Sequence, residues 1–159
     1  MLFVFLYMRT LLLIGFFYCT FCAAQQNKTA VLIAQLDNKQ FVIDHNAKSS
    51  FSYTSKAANK LIRKSAKVRK ELFIALSDSN KVIMVQLILC NIYFKKATFA
   101  GPKMVTENDE HVNKYFLGEE NGEGLIISEM KKNGDYTLFI RGSDLEKTRQ
   151  FWKKKMNLQ

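Results

Sequence analysis

Two apolar runs near the C-terminus, Leu125–Met130 (LIISEM) and Tyr136–Arg141 (YTLFIR), are joined by Lys132-Asn133-Gly134-Asp135. Asn-Gly between such runs demands a tight β-hairpin, because a type I′ turn needs positive φ at both central residues. Directly after it, Ser143-x-x-Glu146 has the form of a capping box, with Asp144 and Glu146 suited to a helix N-terminus. Leu145, Thr148, Trp152 and Met156 then recur at helical spacing, with Phe151 beside them. Lys153, Lys154 and Lys155 fall at the end of this helix, where its dipole favours cations. A chain closing this way buries one face of a β-hairpin under an amphipathic helix.

The upstream chain reads as further strands. Ala30–Leu36 (AVLIAQL) and Gln40–Asp44 (QFVID), separated by Asp37-Asn38-Lys39, predict a hairpin, and Ser49–Tyr53 a short third strand. Glu71–Leu76 (ELFIAL) and Lys81–Phe94 (KVIMVQLILCNIYF) flank a Ser/Asp/Asn cluster and predict a second hairpin. The second arm is apolar on both faces, so it is covered on both sides or lines a pocket; a buried helix is the alternative, but Val, Ile and Tyr dominate and favour a strand. Met84, Ile88, Ile92 and Phe94 are the pocket candidates. Gly101-Pro102 marks a break, and His111–Leu117 another strand before the turn Gly118–Glu123. The expected fold is mainly β within the α+β class. It is an antiparallel meander or barrel with one short internal helix and a C-terminal amphipathic helix packed on it.

That internal helix is predicted over residues 55–66. Ala58, Leu61, Ile62 and Ser65 share a face, and Thr54 or Ser55 can cap its start. From His45 to Lys70 there is no acidic residue. Lys56, Lys60, Arg63, Lys64, Lys67, Arg69 and Lys70 therefore form a candidate patch for an anionic partner. No aromatic side chain interleaves these cations, which argues against stacking on single-stranded nucleic acid. The whole chain carries a formal charge of +10, consistent with acidic partners.

Residues 1–24 read as a signal peptide: Arg9, the apolar run 11–18, then Cys22-Ala23-Ala24 as a small-x-small cleavage site. The expected mature chain, 25–159, is one β-rich secreted domain. Asn27-Lys28-Thr29 places a glycosylation sequon near its start, with Asn27 as acceptor. Cys19 and Cys22 go with the leader, so Cys90 alone remains and no internal disulfide can form. Its apolar setting points to a buried thiol, with an intermolecular bridge as the alternative.

The sequence carries no recognisable catalytic signature. His45 and His111 are isolated, and no P-loop, G-x-S-x-G or dinucleotide fingerprint occurs. The expectation is a non-enzymatic protein with no metal and no cofactor.

Asp135-Tyr136 and the stretch Arg141-Gly142-Ser143-Asp144-Leu145, which leads from the last strand into the helix, resemble the end of a lipocalin. The resemblance covers the last quarter of the chain. Trp152 is the only tryptophan, so the family's N-terminal G-x-W is absent, and Cys90 alone cannot form its disulfide. The resemblance implies a barrel carrying a small apolar ligand, and it transfers no pocket residue. The second functional expectation is a secreted basic protein that binds an anionic glycan, an anionic lipid surface or an acidic protein receptor. It would act through residues 55–70 and the C-terminal lysines, with no role for nucleic acid.

Overall fold

A computed structural model describes residues 28–45, 50–120 and 122–158. The predicted leader and Asn27 lie outside the described residues. The described chain is a mixed α+β fold in which helical residues outnumber strand residues, so the expectation of a mainly β protein is corrected. Helix α1 spans residues 28–34, followed by β1 (Phe41–Asp44), β2 (Ser50–Tyr53), α2 (Lys56–Lys64), α3 (Arg69–Ala75) and α4 (Val82–Phe94). A four-stranded meander follows, β3 (Thr98–Glu107), β4 (Glu110–Gly118), β5 (Gly124–Lys132) and β6 (Asp135–Phe139), and α5 (Gly142–Lys155) ends the fold.

The largest correction is α4. The segment expected to be a long two-faced strand is a helix whose every residue from Val82 to Cys90 is buried. A helix enclosed on all sides carries no amphipathic stripe, and a β-branched apolar run is then indistinguishable from a buried strand. The Ser/Asp/Asn cluster does turn the chain, but it joins α3 to α4. Asn38 holds this corner from a distance: its Nδ2 donates to the Ser79 carbonyl at 2.6 Å, and its Oδ1 accepts from the Ile83 N–H at 2.9 Å. The 30–36 run is corrected in the same way. Thr29 and Leu36 are buried, Leu32 and Ile33 pack on the core, and Val31 faces solvent. That is helical spacing in a stretch too short to reveal its period.

The strand at Phe41–Asp44 therefore pairs with β2, in the register Phe41↔Tyr53 and Ile43↔Phe51. The larger sheet runs β3-β4-β5-β6, entirely antiparallel, and β3 and β6 are its two edges. Pro102 does not end β3; the strand continues through a bulge between Ala100 and Lys103, where a residue without an N–H is tolerated. The Asn133-Gly134 turn is formed as predicted, with φ of 52° and 93°. The Ser143/Glu146 capping box is not formed. The N-cap of α5 is Arg141, without a side-chain cap.

The core lies between α4 and one face of the large sheet. Leu117 is opposite Leu125, Tyr115 opposite Ile127 and Asn113 opposite Glu129, so these six side chains share a face. Leu117, Leu125 and Ile127 are fully buried there. Each such side chain contributes roughly 1.5–3 kcal/mol through burial. On its other side α4 meets α2 and α3. Trp152 of α5 is also fully buried and packs on Tyr93 and Phe94 at the end of α4.

Candidate functional site

Helix α2 forms where the sequence places it. Ser55 caps it, its Oγ accepting the Ala58 N–H at 3.2 Å. Ala57, Ala58 and Leu61 are its buried face, which turns Lys56, Lys60 and Arg63 outward along one i, i+4, i+7 stripe. Lys67 and Lys70 extend the exposed positive charge beyond the helix. None of these five cations pairs with a carboxylate among the described residues. Two of the acidic residues further along have other partners. Glu107 pairs with Lys114 at 2.8 Å and with Arg141, and Glu119 pairs with Lys155 at 3.7 Å. Glu71 follows Lys70 directly, and among the described residues it forms no ion pair with the stripe.

The other two members of the predicted patch are structural. Lys64 is half-buried and donates to Thr29 Oγ1 at 3.2 Å, tying α2 to α1. Arg69 lays its guanidinium over the Tyr93 ring, 4.3 Å from the centroid. Tyr93 in turn lies 5.2 Å from Trp152, beside the exposed Lys153, Lys154 and Lys155. One aromatic ring therefore joins the start of α3 to the lysine-rich end of α5. Two basic segments about eighty residues apart in sequence meet through it, and no sequence signal marked Tyr93 for this role.

The predicted apolar pocket does not form around Met84 and Ile88. Met84 and Ile88 are fully buried in the packed core, and Ile92 packs against it. Phe94 lines a half-open cleft of about 590 Å³ together with Phe51, Ala97 and Phe99, with Lys96, Thr98, Glu119 and Glu120 as its polar members. Its aromatic floor continues inward. Phe41 stacks on Phe51 with centroids 4.9 Å apart, both meet Phe99 edge-on, and Phe99 stacks on Tyr115 at 5.5 Å. Close aromatic spacing of this kind adds rigidity to the wall.

Beyond Tyr115 lies a polar cluster that the sequence did not reveal. Glu129 is only 1% exposed. It accepts from the Tyr115 hydroxyl at 3.0 Å and from Asn113 Nδ2 at 3.3 Å, and His45 Nε2 lies 3.4 Å from its other oxygen. His45 also stacks on Tyr136, 4.1 Å between centroids. Burial and the neighbouring Glu129 carboxylate both push the Tyr115 hydroxyl well above the ordinary tyrosine range. The cluster fastens the far end of the β1–β2 hairpin to β5 and β6.

Cys90 is fully buried, the setting expected of a thiol that acts as a small core hydrophobe. Burial, followed by the charge of Glu119, pushes its thiol up to about 12, so it is an inert apolar group at neutral pH. Among the described residues no three His, Cys, Asp or Glu side chains are arranged to hold a metal ion. No described helix is long and apolar enough to cross a membrane. Comparison with family models, with curated proteins and with solved structures finds no match.

Proposed function

We propose that this is a secreted, non-enzymatic interaction protein that holds a dense anionic surface, a sulfated glycan or anionic lipid headgroups, through its α2 face. The observation that carries the reading is the exposed stripe of Lys56, Lys60, Arg63, Lys67 and Lys70, which has no carboxylate partner among the described residues. Two acidic residues elsewhere in the fold, Glu107 and Glu119, pair instead with Lys114, Arg141 and Lys155. Uncompensated cations in a row attract polyanions and release their counterions on contact.

Retention on immobilised heparin and on phosphatidylserine vesicles tests this reading and separates the two kinds of surface. A variant carrying Lys60→Gln, Arg63→Gln and Lys67→Gln loses retention. A control with Lys103→Gln, Lys132→Gln and Lys147→Gln, equal in net charge and placed elsewhere, keeps it. Equal loss in the two variants contradicts a localised site.

A second reading, carriage of a small apolar ligand, is favoured by the cleft at Phe51, Phe94 and Phe99. Its volume falls within the range of small-molecule sites, roughly 300–1,000 Å³. The ligand would sit between the hairpin and the sheet edge rather than inside a barrel.

A further inference from the structure

We propose that the aromatic cleft binds a small organic ammonium ion with an apolar or aromatic body. The proposal rests on the second reading above and names its ligand. Three phenylalanine rings, Phe51, Phe94 and Phe99, line the cleft together with two carboxylates, Glu119 and Glu120. Aromatic faces carry partial negative charge and attract cations, most strongly where water is partly excluded. Carboxylates at the same opening act in the same direction.

The chain itself shows which charge this corner accepts. The Lys155 ammonium lies 4.9 Å from the centroid of Phe94 and 3.7 Å from Glu119, touching two of the cleft's lining residues at once. It stands where the head of an ammonium ligand would go, while the Phe51 and Phe99 rings line the rest of the cleft. Lys155 comes from an exposed position at the end of α5, so its side chain can yield the place at the cost of one screened ion pair. Lys96 also lines the cleft and opposes a cation there, against the two carboxylates of Glu119 and Glu120. The hydrogen-bonded Glu129 cluster and the packed core around Met84 and Ile88 offer no comparable opening.

Isothermal titration of the purified protein with benzyltrimethylammonium, benzyl alcohol and phenylacetate tests the assignment. Benzyltrimethylammonium should saturate the protein and bind at least about two- to fivefold more tightly than benzyl alcohol, the range expected for one cation–π contact at a partly exposed site. Phenylacetate should bind most weakly. Lys155→Met should tighten the ammonium by about the same factor, because it removes the resident competitor from Phe94. Glu120→Gln, at an exposed position, should weaken it without affecting the fold. Equal affinity for the three probes overturns the ammonium assignment and leaves the cleft a general apolar site. An unchanged affinity in Lys155→Met also overturns it. Failure of all three to bind overturns the carrier reading as well.

Discussion

Trp152 donates its indole N–H to the side-chain oxygen of Gln86 at 2.6 Å, across 66 positions of sequence. Both residues are completely buried. The amide nitrogen of Gln86 donates to the Leu117 carbonyl at 2.9 Å and lies 3.4 Å from Cys90 Sγ. One side chain in the middle of an otherwise apolar helix thus fastens α4 to both α5 and β4. It also explains how a glutamine is tolerated at that depth: each of its polar ends has a partner.

Breaking this link should be costly. Trp152→Phe leaves the Gln86 oxygen buried without a donor, an expected loss of about 1–3 kcal/mol. Gln86→Leu strands the indole N–H and the Leu117 carbonyl to a similar degree. The double variant should lose less than the sum, with a coupling of roughly 0.5–3 kcal/mol. Urea unfolding of the four proteins measures this directly. Strict additivity would mean that the contact is incidental.

Tyr115 gives the fold a dependence on alkaline pH. Its folded hydroxyl is held above its ordinary value of 10.0, first by burial and then by the Glu129 carboxylate. A group whose folded value is raised stabilises fully below the unfolded value and loses that contribution as pH rises beyond it. The urea midpoint should therefore fall above pH 10.0. Tyr115→Phe should start lower, by about 1–3 kcal/mol for the lost bond to a carboxylate, and then fall less steeply with pH. Parallel pH profiles for the two proteins would remove Tyr115 as the cause.

Two glycines separate conformational strain from steric exclusion. Gly134 sits at φ of 93° with open space where a Cβ would go, so Gly134→Ala should cost only about 1 kcal/mol, for the turn conformation. Gly118 and Gly124 face each other between β4 and β5, and a Cβ on Gly118 would lie 2.4 Å from the Glu123 carbonyl oxygen. Gly118→Ala should be distinctly more destabilising and should disturb the neighbouring Glu119 and Glu120. Thermal unfolding of the two variants checks the order, and the reverse order would contradict the register given for these strands.

The legible parts of the sequence were those governed by local rules. Asn133-Gly134 needs positive φ and formed its turn; Ser55 capped a helix whose Ala58 and Leu61 are buried. The illegible parts depended on burial. Val82 to Cys90 is a helix because sheet and helices enclose it, and enclosure erases the stripe by which helices are recognised. A strand there would have turned Met84 and Ile88 toward a pocket; in the helix both are enclosed by the core. The cleft and the Glu129 cluster were hidden for a different reason. Phe51, Phe94 and Phe99, like His45, Tyr115 and Glu129, come from elements that only the tertiary fold brings together.

The most direct test of the proposed role is the salt dependence of heparin affinity. Each cation that contacts a polyanion adds about one unit to the slope of log K against log salt. The wild-type protein should show a steep negative slope. The Lys60→Gln, Arg63→Gln, Lys67→Gln variant should lose about three units of it while unfolding at the wild-type temperature. A wild-type slope near zero, or a slope unchanged in the variant, would contradict an anionic partner held by the α2 face.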